Sequence, residues 1–152
     1  MSRDLHSVEA EHGVLGALLI GAAQNDQALV DQIVEQLKPA DFYFDDNAVL
    51  FQTIADLHAE GVPVDPVTVA QVRPTLPSEA KTLEYAFSIH RNVPSTANWK
   101  AYCRHLRERS TLRRQVEIGR LIESLATEDR PLAEIIAKAQ EAMADLRDLD
   151  DD

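Results

Sequence analysis

Few side chains in these 152 residues have types and spacings that chemistry could use, and none of them assembles a reactive set. Cys103 falls in helical register with Trp99 and Leu106, where a cysteine packs as a small hydrophobe rather than acting as a nucleophile. Asp41, Asp45 and Asp46 approach the look of a calcium loop, but the central glycine and the bidentate glutamate of such a loop are missing. Capping of helices is the expected role of these acids. His6, His12, His58, His90 and His105 lack ligand spacing, no His-Glu-x-x-His helix occurs, and one cysteine cannot anchor zinc. No Gly-x-x-x-x-Gly-Lys-Ser/Thr loop is present to cradle phosphates, and no Gly-x-Gly-x-x-Gly follows a strand. The expected sets of catalytic, cofactor-binding and metal-binding residues are therefore empty, and contact between proteins remains by elimination.

Charge narrows the choice of partner. A formal net charge of -11 disfavours nucleic-acid binding through the whole surface, because phosphates are held chiefly by Lys and Arg. The charge is uneven: Lys100, Arg104, Arg107, Arg109, Arg113, Arg114 and Arg120 are opposed between Ser95 and Arg120 only by Glu108 and Glu117. With Asp145, Asp148 and Asp150 to Asp152 closing the chain, this polarity reads as a helix pair with complementary faces. Val14 to Ala23, broken by Gly16 and Gly21, is too short to span a bilayer, which takes ~20 apolar residues. A single cysteine excludes an internal disulfide and no signal segment opens the chain, so the expected setting is cytoplasmic.

The elements follow from apolar period and capping residues. Ser7 is placed to cap a helix from Val8 to about Ile20, with Glu9 and Glu11 in its first turn and Val14, Leu15, Leu18 and Leu19 as its stripe. After a turn from Gly21 to Asn25, Asp26 caps a helix carrying Leu29, Val30, Ile33, Val34 and Leu37. Phe42, Tyr43 and Phe44 are expected to be buried between that helix and the next, which starts at Asp45 or Asp46 and ends at a left-handed Gly61. Asp65 and Pro66 start a short helix to Val72, and Ser78 is expected to cap another whose apolar face is Leu83, Tyr85, Ala86, Phe87 and Ile89. No alternating run predicts a sheet.

From Ser95 the helical period continues to about Thr127, turns at Arg130-Pro131, and returns through Leu132, Ile135, Ile136, Ala139, Met143 and Leu146. The expected fold is all-α: a helical globular bundle over residues 1–93, an antiparallel helical hairpin over 94–149, and an acidic tail at 150–152. Gly119 and Ala139 are expected to let the two arms approach closely. Neither arm can hide its apolar stripe alone, so a partner surface is implied.

Several strings carry a resemblance in order and spacing. His6-Ser7-Val8-Glu9-Ala10-Glu11 with Val14 to Leu19, Ala40-Asp41-Phe42-Tyr43, Leu57 to Val69, and Asn92 to Asn98 with Tyr102 and Arg107-Glu108-Arg109 together resemble the N-terminal domain of the bacterial replicative DNA helicase, the DnaB family. The likeness runs from about Leu5 to Leu146. It implies a collar and assembly role in DNA replication, with pairing of subunits into a dimer or a trimer of dimers, docking of the primase's helical domain, and contact with a helicase loader. It implies Val116, Ile122, Leu125, Ile135, Ile136 and Met143 as the hairpin interface, flanked by Arg113 and Arg114. Neither direct nucleic-acid binding nor membrane contact is expected. The helicase motor is missing from these residues, so ATP hydrolysis and unwinding are not expected of them. An alternative is a stand-alone regulator from a phage or mobile element that binds a helicase collar or primase. One departure stands out: the family's glycine-containing turn is replaced here by Leu76-Pro77-Ser78-Glu79-Ala80-Lys81.

Overall fold

A computed structural model describes residues 3–149, and the acidic tail expected at 150–152 lies outside them. Seven α-helices are present among the described residues, joined by short connectors and without strands. Contacts divide the chain into two compact units, one up to Ser110 and one from Thr111 onward.

The first unit is built around α1, Val8–Ala23, which is buried on nearly every side rather than along one stripe. Two glycines make this possible. A Cβ on Gly13 would stand 2.4 Å from the Tyr102 ring, and one on Gly16 would stand 2.4 Å from a Val93 methyl carbon, so later segments lie directly on the helix backbone. Ser7 caps α1 as expected, its Oγ accepting from the Ala10 amide at 3.2 Å. The helix continues through Gly21, which the sequence places in a turn, and closes on Asn25 at φ 58°. The Asp26 amide donates to the Gly21 carbonyl and the Asn25 amide to that of Ala22, so both orphan carbonyls are satisfied.

Asp26 then accepts from the Leu29 amide and starts α2, Gln27–Gln36. A single 3-10 turn at Pro39–Asp41 leads to α3, Asp45–Ala59, which ends as expected on Gly61 at φ 74°. Asp65 accepts from the Thr68 amide at 2.8 Å and Pro66 opens α4, Pro66–Val72. Val14, Leu15, Leu18 and Leu19 of α1 share one core with Val30 and Ile33 of α2 and Leu50, Phe51 and Ile54 of α3. Cys103 and Leu106 join that core from α6, Trp99–Leu125.

Four further expectations are corrected. Helix α5 spans Thr82–Asn92 and is not capped by Ser78. The Ser78 amide and hydroxyl both donate to the Asp46 carboxylate, which removes the capping group. The turn before α5 closes without glycine by placing Glu79 at φ 75°, with the Leu76 amide donating to the Ala80 carbonyl. On α5, Ala86 and Ile89 are buried while Leu83 and Phe87 face outward, because only one side of this short helix meets α1 and α4. Of the three clustered aromatics, Phe42 is buried against Phe51, Phe44 is half-buried, and Tyr43 remains 49% exposed with its ring stacked on His6. The long helix begins at Trp99, and not at Ser95, because Thr96 to Asn98 form a turn before it.

The second unit is a hairpin of the later part of α6 and α7, Leu132–Asp148. Ile118 and Leu125 on one arm and Ala142 on the other are buried, while Ile122, Ile135 and Ala139 are half-buried at the intervening positions. These fall at 3-and-4 spacing, the pattern of antiparallel helices packed along a shared seam.

Candidate interaction surface

Buried polar groups are where a catalytic site would first be sought, and the first unit holds one connected set. Glu11, 1% exposed, accepts from the Tyr43 amide and the Asn47 side-chain amide, each at 2.9 Å, and from the Phe44 amide at 3.4 Å. The Tyr85 hydroxyl donates its one proton to Asn47 Oδ1, so His12 Nε2, 2.9 Å from the Tyr85 hydroxyl oxygen, must donate to that hydroxyl. Every member thus has a partner, and the chain of bonds ties α1 to α3 and α5. Phe44 at the start of α3 offers no capping side chain of its own, and the Glu11 carboxylate supplies negative charge there instead. The set is a structural clasp.

Burial pushes the Tyr85 hydroxyl up to about 12, with the negative charges of Asp46 and Glu11 adding to the effect. Burial also holds His12 below its ordinary value of 6.5. Between the unfolded and folded values the unfolded chain binds more protons, so stability from neutral His12 is complete above pH 6.5 and is lost as pH falls below it. Urea midpoints should therefore decline from pH 7 to pH 5, and the decline should be shallower in His12→Gln; equal slopes in the two proteins would refute this assignment.

The other candidate chemistry is absent from the surface. Burial pushes the Cys103 thiol up to about 11 against the opposing effect of Arg107, so it stays protonated and packed in the core. Asp41 caps its own 3-10 turn by accepting from the Lys38 amide, and Asp46 holds Ser78. Among the described residues no three His, Cys, Asp or Glu side chains are grouped to hold a metal. No described helix is long and apolar enough to cross a membrane.

What remains is the outer face of the hairpin. Leu132, Ile136 and Met143 on α7 are 72%, 48% and 54% exposed, and with the half-buried Ala139 they repeat at 4, 3 and 4 residues, so they line one side of the helix. On α6, Val116 is exposed three residues before Gly119. The glycine does not sit at the seam as expected: a Cβ there would meet nothing within 4 Å. The seam residue is Ile118, and one step along a helix turns Gly119 about 100° away from it. A glycine inside a helix costs about 1 kcal/mol relative to alanine, and no contact within the hairpin explains it.

The six apolar residues among the eight expected from sequence separate into two groups. Val116, Ile136 and Met143 face outward. Ile122 and Ile135 are half-buried and Leu125 is buried within the hairpin. Arg113 is half-buried, and Arg114 is exposed and paired with Glu117 at 3.0 Å. Leu132 and Leu121 belong among the exposed apolar residues and were not singled out. The spacing of Leu132 from Ile136 is the signal that would have added the first.

The family model described as DnaB-like helicase N terminal domain matches residues 3–108. Over 122 residues the chain is 30% identical to the replicative DNA helicase DnaB of Buchnera aphidicola subsp. Baizongia pistaciae, covering 77% of this chain and 25% of that protein. The chain thus spans about a quarter of the length of the curated relatives it matches. Among solved structures, the N-terminal domain of DnaB helicase from Mycobacterium tuberculosis aligns with a TM-score of 0.79 at 28% identity, covering 94% of this chain and 99% of that one. A second, a DnaB-like replicative helicase described with its interactions with primase, aligns at a TM-score of 0.65 and 24% identity over 89% of this chain and 30% of that one, a likeness of fold.

Proposed function

The chain belongs to the family of DnaB-like helicase N-terminal domains, and from that premise we propose that it is an assembly and docking domain of a replicative helicase. The observation that carries this reading is the outward apolar row Leu132, Ile136 and Met143, beside a helix that presents Val116 and a bare Gly119. Exposed rows of this kind on a stable hairpin serve contact with another protein. The self-complementary solution is a second hairpin, related by a two-fold axis, whose backbone approaches at Gly119. Val116, Ile136 and Met143 meet the second copy, Ile122, Leu125 and Ile135 hold the arms that present them, and Arg113 and Arg114 lie on the flank.

On this reading the paired domains form the collar of a helicase and offer the surface on which a primase's helical domain, and a loader, dock. The likeness of fold to a helicase described with primase supports that half of the proposal. The 152 residues hold no nucleotide loop, so their contribution to unwinding is contact and not hydrolysis.

Sedimentation at tens of micromolar tests the self-contact. The unaltered chain is expected to dimerise, and Ile136→Asp combined with Met143→Asp is expected to weaken dimerisation on the order of 100-fold while the helical circular dichroism is kept. A dimer of unchanged affinity in the double variant, or a monomer from the unaltered chain, would sink the reading. Co-elution with the helical domain of a cognate primase checks the docking half separately.

A further inference from the structure

Fixed positive charge is scarce in the first unit. From Asp4 to Val72 the chain holds twelve acidic residues against one lysine, Lys38, and no arginine. Within that stretch lies an open cavity of about 410 Å³, where the ends of α1 and α3 meet the start of α2 and the segment leading into α4. Its floor is apolar, formed by Val30, Val62 and Val64. Its rim is negative. Asn25 and Asp65 bring side-chain acceptors, and two helices of 16 and 15 residues end there, with the negative ends of their dipoles at the cavity.

No cation of the chain answers this rim. Neither α1 nor α3 has a Lys or Arg in its last turn, and the one base in the lining, His58, is held by Asp31 of α2. Among the described residues Asp26, Glu60 and Asp65 form no ion pair. The backbone beside the cavity is equally unmatched. Val62 to Val64 form neither helix nor strand and lead into an extended Asp65 at φ -152° and ψ 166°. The Val62 amide donates to the Leu57 carbonyl, but the Val64 amide and the Val62 and Val64 carbonyls have no backbone partner.

We propose that this cavity receives an arginine side chain from an extended segment of another protein. The methylene stem covers the valine floor, and the guanidinium's five donors meet the carbonyl ends of two helices and the Asp65 carboxylate. Only one oxygen of that carboxylate is engaged by the α4 cap. The backbone on either side of the arginine pairs with Val62 and Val64, as a strand pairs with an open edge. Ligand cavities run from roughly 300 to 1,000 Å³, so this one has room for a long side chain and its neighbours. The site lies wholly within the first unit and does not depend on the hairpin contact.

Amide NMR shifts of the 152-residue chain, titrated with the capped peptide acetyl-Val-Arg-Val-amide, test this. Saturable shifts are expected at Ala23, Asn25, Val62 and Val64. The same peptide with citrulline, which keeps the shape and removes the charge, should bind about tenfold more weakly or less, since hydrogen bonds to a charged group are the stronger kind. Ala23→Lys places an amine at the cavity from an exposed helix position and should weaken the arginine peptide by about tenfold while helical circular dichroism is kept. Glu35→Lys makes a comparable change of charge at an exposed position outside the lining and should alter affinity by less than about twofold. Shifts scattered over the acidic surface, equal binding of the citrulline peptide, or equal losses in the two lysine variants would each overturn the inference. So would spermidine moving these amides where the peptide does not, since the cavity would then serve a free polyamine.

Discussion

Replacing Glu11 with alanine should be the most damaging single change in the first unit, lowering its stability by about 3 to 5 kcal/mol in urea unfolding at pH 7. The size follows from what the carboxylate serves. Two backbone amides and one side-chain amide converge on it from the connector and first turn of α3, and it is 1% exposed, so water cannot take its place. Alanine would leave these donors unmet and a void beside them. Glu11→Gln keeps the shape and one acceptor but turns an NH2 group toward a donor, so a loss of about half that size is expected. The two variants together separate hydrogen bonding from packing. A loss below about 1 kcal/mol for Glu11→Ala would mean that the clasp is not what seats α3.

The second large effect is expected at Gly16. An alanine Cβ there would lie 2.4 and 2.8 Å from the two Val93 methyl carbons and 2.5 Å from Val93 Cβ itself. Because Cβ is fixed to the backbone, no side-chain rotation clears it, and the segment between α5 and α6 must move. Overpacking of this kind costs about 1 to 3 kcal/mol, more than the ~1 kcal/mol that alanine gains over glycine in a helix. Gly119→Ala is the internal control, since nothing lies within 4 Å of that position. In a dilute monomer it should raise stability by up to about 1 kcal/mol. The same substitution at two helical glycines should therefore act with opposite sign; a Gly16→Ala protein as stable as its parent would show that Val93 does not fix α1.

Which features were legible in the sequence depended on how local their physics is. Ser7, Asp26 and Asp65 were readable as caps because the oxygen and the amide it satisfies are three residues apart. Gly61 was readable because a left-handed residue ending a helix favours glycine. The role of Glu11 was not, since an acid in a first turn looks like a response to the helix dipole, and only the folding of α3 onto α1 reveals its donors. Glu79 in a glycine conformation was equally hidden, its turn being enforced by Asp46 from a distant helix. In the hairpin, the apolar content of α7 was evident but its division into an inward and an outward row was not. Ile135 and Ile136 are neighbours of one type, and only the position of the opposite arm decides which of them is covered.

The way α1 is enclosed also bears on how the chain is made. Its walls are completed by Val93 and Tyr102, and its histidine bonds to a tyrosine 73 positions later. On a ribosome, the first helix emerges long before these partners and has nothing against which to bury its apolar sides. The core can close only after the start of α6 has left the exit tunnel, so α1 exposes apolar surface through most of the synthesis of this unit. Residues as late as Leu106 are needed to complete that core.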